Sequence, residues 1–542
     1  MSQEFSEISV MIVDSNAAMR TQLRNMLALG GITTVNQAVT AGVAIRKLRE
    51  VNFDIILCEY HLGEGQDGQH LLEDLRHHHL IPLWTVFIMI TGESAYERVV
   101  SAVELAPNDY VLKPFSSEKL LERLGRALTK RDAFMPTYKL VEAGNLLDAI
   151  ESCRKGEQEH PNFVIDFLRL RAELHLTAGQ TSDAQQIYAE VLGSKAVPWA
   201  KLGLAKTLFL QKRFKEAQTG FSALIDENAN YMDAYDWLAR SREATGELTG
   251  AQQTLQDAIK VSPHTTRRLR RLGEVSNELG DHETAIKTMS EVVRKGKYSD
   301  FRDPEDHVLL VKAHLGAGDA TAAGATLRDM ERTMDGLAKT PLCRALSTAM
   351  LATQAGNLEA ASAALDDALK HNDPRLGATV TLKKDLARIC IENKRDDQAA
   401  EVIMDVMRDA ANDEAVDRIK SMLVELGRPE LGEQLASRVR KEVKDLMAQG
   451  AQLAQRGDFD GSVRQMTQAV AKMPGNVNVL FNAALALLKH IENLGWNPRF
   501  AADARSHIER VRQQDPGNER LKAITAYFHG LLKKHGIKSN EF

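Results

Sequence analysis

The chain has 542 residues, 44% hydrophobic and 26% charged, more than one hydrophobic core organises, which predicts several domains or one compact domain followed by a repeat array. Its net charge is −5, and residues 1–130 hold 12 basic against 16 acidic side chains while the rest is near balance, which argues against a nucleic-acid partner. Cys58, Cys153, Cys343 and Cys390 lie far apart with no C-x-x-C pair, so neither a disulfide framework nor a zinc knuckle is expected, and a reducing, cytoplasmic setting is.

At the amino terminus MSQEFSEIS lacks a basic and an apolar leader region, and the longest nearly apolar stretch, Leu80 to Ile90, is shorter than the about 20 residues that span a bilayer. No membrane partner is expected. The runs VMIV (10–13), DIILC (54–58) and VFIMI (86–90) read as buried parallel strands, and a further strand is expected ahead of Tyr110. Between them, Ala17 to Leu29, Gly68 to His77 and Ser116 to Leu128 carry apolar residues at helical spacing. Gly30-Gly31 is expected to stop the first helix and Ser116 or Ser117 to cap the last. Strand and helix in alternation predict a doubly wound parallel sheet, with functional residues at the carboxyl ends of its strands.

From about residue 132 the strand signal ends and an internal repeat begins. Ala149, Ala184, Ala217, Ala251, Ala285, Ala323, Ala361 and Ala399 recur at 33- to 38-residue spacing, and Ser462 and Ala504 continue the series. Five residues before these anchors stands a turn residue: Gly144, Gly179, Lys212, Gly246, Gly280, Gly318, Gly356, Lys394 and Gly457. A larger side chain follows one helical turn after each but the first, as in Tyr188, Phe221, Leu255 and Met289, with Cys153 the small exception, and a proline twelve residues after several, as in Pro161 and Pro263. Small residue, turn glycine, A-x-x-x-F and terminal proline together resemble the tetratricopeptide repeat (TPR), over about 135–528. The alternative is another helical solenoid such as a HEAT-type array. The long interval between Ala399 and Ser462 contains Pro429 to Arg456, read as one long helix, and marks an atypical break near 412–456. The cluster Arg267-Arg268-Leu269-Arg270-Arg271 is read as a solvated helix face rather than a phosphate clamp.

In the first part, Asp14, Glu59, Thr91 and Lys113 fall at or near strand ends that converge on one edge of the sheet. An acid, a hydroxyl and an ammonium gathered there are what a phosphoryl group on a carboxylate needs. In order, and with GQDGQHLL after the third strand, these residues resemble the response-regulator receiver family over about 8–130. The resemblance implies a flavodoxin-like α/β domain with a five-stranded parallel sheet. It also implies that Asp14 is the first of an acidic pair, Thr91 the switch hydroxyl, Tyr110 the aromatic switch, Lys113 the phosphate-contacting lysine and Pro114 a cis-proline. Two positions depart. Ser15 stands where the second magnesium-binding acid belongs, and Glu59 where the phosphoryl-accepting aspartate belongs. Loss of one carboxylate predicts weak or absent Mg²⁺ binding, so no cofactor and no metal site is expected. Glu59 has three open readings: a fixed negative charge reaching Lys113 and Thr91, a chemically silent site on a docking domain, or a phosphorylated residue. The run His77-His78-His79 reads as a polar turn rather than a metal site.

The expected architecture is a receiver at 1–131 followed by an all-α TPR solenoid at 132–542. Neither half shows a nucleophile with its base, a Gly-rich phosphate cradle or HExxH, so no enzymatic activity is expected. A signalling adaptor is expected instead, in which a pseudo-receiver is coupled to a concave surface that captures a partner protein. Its domain order resembles VieB-type regulators, which implies a cyclic-di-GMP phosphodiesterase as that partner. A conventional phosphorylatable regulator is the alternative. The resemblance also implies a face for receiver self-association, the fourth strand, the following helix and the fifth strand, with Glu97, Arg98, Asp109, Lys113 and Arg123 as candidate polar contributors; the alternative reading of these five, and the favoured one, is solvated surface charge.

Overall fold

The computed structural model describes all residues except 1–6, 64–66, 93–106, 196, 264, 298, 411–412 and 538–542. Five parallel strands, β1 (Ser9–Val13), β2 (Thr34–Ala38), β3 (Ile55–Glu59), β4 (Val86–Gly92) and β5 (Asp109–Lys113), form one sheet in the order β2-β1-β3-β4-β5. Register pairs Val13 with Cys58, Glu59 with Ile90 and Gly92 with Lys113, so the carboxyl ends of β1, β3, β4 and β5 lie along one edge. The central strands are apolar on both faces because helices cover both. Met11, Val13, Ile56, Cys58, Phe87 and Met89 pack on one side, and Val10, Ile12, Leu57, Ile88 and Val111 on the other.

Three helices, α1 (Ala17–Leu29), α2 (Ala41–Leu48) and α3 (Gly68–His77), accompany the sheet. Asn16 and Asp67 cap α1 and α3 through their side-chain oxygens, and Gly31, at φ 85°, turns the chain out of α1. The strand expected ahead of Tyr110 instead contains it. The edge strand β2, TVNQA, has no apolar run because half of it faces solvent.

The last sheet helix does not end near Leu128. Ser116 caps it as expected, but it continues unbroken from Ser117 to Glu142, so the 131/132 boundary expected from sequence falls inside a helix. Arg131 reaches back to Asp54 at 3.0 Å, and the backbone amide of Leu83 donates to Glu142 Oε1 at 2.5 Å. These contacts tie the helix to the sheet along its length.

Helices joined by short turns follow to Lys534, and many of them pack on their neighbours in sequence. Ala149, Ala184, Ala217, Ala251, Ala285, Ala323, Ala361, Ala399 and Ala504 are fully buried, and Ser462 nearly so. All nine turn positions, from Gly144 to Gly457, have positive φ, including the two lysines at 61°. Small residues allow the close approach between paired helices: a Cβ on Gly273 would come within 2.4 Å of Met289 Sδ, and one on Gly450 within 2.7 Å of Met466 Sδ. The long interval before Ser462 holds the helix Asp413–Glu425 and a 27-residue helix, Pro429–Gln455. Contacts divide the chain into two compact units, 1–172 with 184–313, and 173–183 with 314–542. Among the described residues no helix is long and apolar enough to cross a membrane.

Candidate functional site

The edge at which β1, β3 and β5 end gathers Asp14, Glu59 and Lys113. Glu59 is 8% exposed and Asp14 2% exposed. One Glu59 oxygen, Oε2, pairs closely with Lys113 Nζ, and the other, Oε1, accepts the backbone amide of His61 at 3.2 Å. Lys113 Nζ also lies 3.8 Å from Asp14 Oδ2. Asp14 Oδ1 accepts the Asn16 amide at 2.7 Å, whereas Oδ2 is buried without a hydrogen bond. Burial pushes the Asp14 carboxyl above the usual carboxylate range, opposed by the Asn16 amide and by Lys113.

Thr91 is fully buried at the end of β4, and its hydroxyl donates to the Gly92 carbonyl at 3.3 Å. The expected reach of Glu59 therefore extends to Lys113 and, among the described contacts, not to Thr91. Tyr110 is half-buried against the cluster that contains Phe87 and Met89. The Lys113-Pro114 peptide is cis. Ser15 is exposed and contributes its carbonyl to Arg20 at 3.1 Å.

A magnesium ion needs several oxygen donors in octahedral array. Here both Glu59 oxygens are engaged, one Asp14 oxygen is taken by a backbone amide, and Ser15 carries no charge. One carboxylate oxygen is left, and an ammonium group faces it.

Two contributors escaped the reading of the sequence. The His61 amide is one, because any residue there would supply it. Gly68 is the other: a Cβ at this position would meet the Glu59 carbonyl oxygen at 2.5 Å, with Met89 Sδ at 3.0 Å and Cys58 Sγ at 3.1 Å beyond it. The Gly-rich GQDG stretch was the available signal for it.

A family model for the response regulator receiver domain matches residues 10–125, and one for the tetratricopeptide repeat matches 238–300. The chemotaxis protein CheY-3 of Vibrio cholerae is 28% identical over 119 residues, 22% of this chain and 90% of that protein. The chemotaxis protein CheY of Pseudomonas aeruginosa is 28% identical over 117 residues, 22% of this chain and 93% of its own length. Residues 10–125 are a receiver domain, and it is fused to a tetratricopeptide repeat region. Among solved structures, a tetratricopeptide repeat protein from Parabacteroides merdae is 14% identical, covers 48% of this chain and 98% of its own, and has a TM-score of 0.32.

The residues named for receiver self-association fare unevenly. Asp109 and Arg123 pair with each other at 2.6 Å, Lys113 is held by Glu59, and Glu97 and Arg98 lie outside the described residues. In the repeats, the arginine cluster is only in part the solvated face expected of it: Arg267 and Arg271 are exposed, Arg270 is half-buried and Arg268 is buried. Arg268, with a side chain 1% exposed, forks onto both Asp236 oxygens at 3.0 Å; Arg270 holds Asp306; and Arg271 pairs with Glu243 and Glu274. Acidic residues roughly one repeat or less away along the chain satisfy these arginines.

Proposed function

We propose that the receiver is a pseudo-receiver, in which Glu59 and Lys113 form a permanent ion pair where a conventional member of the family would carry a phosphoryl group, and that the repeats hold a partner protein. The observation that carries this reading is the Glu59 carboxylate, bonded on one oxygen by Lys113 and on the other by the His61 amide. A buried charge is retained when its hydrogen bonds are satisfied, and this one is. The glutamate supplies a charge of −1, against about −1.5 to −2 for a phosphorylated side chain, so the imitation is partial. Lys113, placed between Glu59 and Asp14, supplies positive charge where a divalent ion would otherwise sit.

A receiver joined to tetratricopeptide repeats is a two-component-type signalling protein with a protein-binding scaffold. The finer reading, that this scaffold restrains a cyclic-di-GMP phosphodiesterase, rests on domain order and makes such an enzyme the first partner to assay. Acetyl phosphate with Mg²⁺ tests the pseudo-receiver reading. Wild type should take up no label, and Ser15→Asp with Glu59→Asp should take it up. Label on wild-type Glu59 would overturn the proposal in favour of a conventional regulator.

A further inference from the structure

Phe301, from the loop after the repeat helix His282–Gly296, packs against the receiver core on the α2–α3 side. The His78 ring stacks on it, with centroids 3.6 Å apart and planes at 9°. Arg49, at the end of α2, covers the same ring at 5.6 Å and pairs with Asp300 at 3.5 Å. Beside this stack lies a cleft of about 290 Å³ lined by Glu73 and His77 of α3 and by Arg267, Arg270 and Lys295 of the repeats. The same α3 begins directly under the acceptor position. The Gly68 amide donates to Tyr60 O at 2.8 Å, and the α-carbon of Gly68 sits so close to the Glu59 carbonyl that no side chain fits between them.

We infer that the α2–α3 edge of the receiver is its output surface in this protein, docked on the repeat segment 266–306, and that the state of residue 59 passes through α3 into that contact. Two attachments make the contact persistent. The Ser117–Glu142 helix, tied to the sheet through Arg131–Asp54 and Leu83–Glu142, joins the receiver to the first repeats without a linker, and the Phe301 stack holds the far side. A contact between covalently joined parts forms at high effective concentration, so modest interactions suffice to keep it closed. The contact is made by the Phe301 and His78 rings and by the Arg49–Asp300 ion pair. Burial raises the Glu73 carboxyl above its ordinary value while His70 and Arg268 hold it down, which places charged repeat residues within electrostatic reach of α3. The contact stands whether or not Glu59 imitates phosphorylation; only the passage of its state depends on the reading above.

Hydrogen exchange on the full-length chain tests both halves. Arg49→Glu should speed exchange in 299–306 and at the end of α3 by about threefold to tenfold, since a partly exposed cation–ring contact and ion pair contribute on the order of one factor of ten. The charge swap Arg49→Glu with Asp300→Arg should bring it back toward wild type. Protection of β1, β3 and β4 reports that the receiver remains folded. Unchanged exchange at 299–306 in Arg49→Glu, with the sheet still protected, would overturn the contact. Glu59→Gln should alter exchange in α3 and also in 299–306; a change confined to the receiver would overturn the passage of state while leaving the contact standing. Acetyl phosphate labelling of wild type is a separate outcome and bears only on the pseudo-receiver reading.

Discussion

The repeats and the receiver respond differently to departures from their own sequence rules. The turn rule of the repeats is stated nine times, and at Lys212 and Lys394 a lysine occupies the left-handed position that glycine fills elsewhere. Both turns keep the same geometry, because the anchor alanine and the larger residue beyond it still pack as in the other units. The receiver site exists once. There Glu59 finds Lys113 and Ser15 faces solvent, and the parallel sheet around them is complete. Redundant local rules tolerate exceptions at a small cost in energy, whereas a single-copy constellation has no second copy to supply a side chain that one member lacks.

The sharpest way to break this contrast is to remove the bidentate carboxylate of a buried arginine in the repeats. Asp236→Ala leaves the Arg268 guanidinium, whose side chain is 1% exposed, without its bidentate carboxylate. It should cost about 3 kcal/mol, read as a lowered midpoint in urea unfolding of the full chain. A loss below about 1 kcal/mol would show that the repeats compensate even for buried charge.

Gly68→Ala comes next. Its Cβ has 2.5 Å to a backbone oxygen, which cannot rotate away, so about 2 kcal/mol of destabilisation is expected by thermal unfolding, together with faster exchange of the His61 amide. Loss of stability without a change at His61 would detach α3 from the acceptor position.

Lys394→Gly and Lys212→Gly should stabilise the chain by about 0.5–1 kcal/mol each, because a left-handed φ strains an L-residue by roughly 1–2 kcal/mol and glycine's extra unfolded-state freedom returns part of that. Equal stability of wild type and both variants would mean that the lysine side chains contribute as much as the strain costs.

The smallest effect concerns pH. Desolvation comes first in lowering the pKa of His77 and His78; Arg267 and Arg270 add to it for His77, and His77, Arg49 and Arg267 for His78. The folded state therefore binds these protons less readily than the unfolded chain. Their contribution is whole above the ordinary histidine value of about 6.5 and is lost as pH falls through it. Exchange at 299–306, corrected for intrinsic rates, should rise on going from pH 7.5 to pH 5.5, and His78→Phe should flatten that dependence.

Much of this molecule was legible locally. The apolar runs of β1, β3 and β4, the caps of the first and last receiver helices, the 33- to 38-residue period and the long helix at 429–455 all follow from short-range patterning, which a chain displays wherever backbone geometry repeats. That Asp14, Glu59 and Lys113 would meet at one edge was legible too, because a parallel sheet brings the carboxyl ends of its strands together. Edge strand β2 was not, since half its side chains face water and leave no apolar signature.

What tertiary structure alone decided are the pairings across distance. No periodicity tells Glu59 to turn toward Lys113 and the His61 amide rather than Thr91, or Arg268 to reach Asp236, or Phe301 to meet Arg49 and His78. Charge and aromatic character are written in the sequence, but the partner of each is chosen by which surfaces the folded backbone brings within a few ångströms, and that choice pairs Glu59 with Lys113.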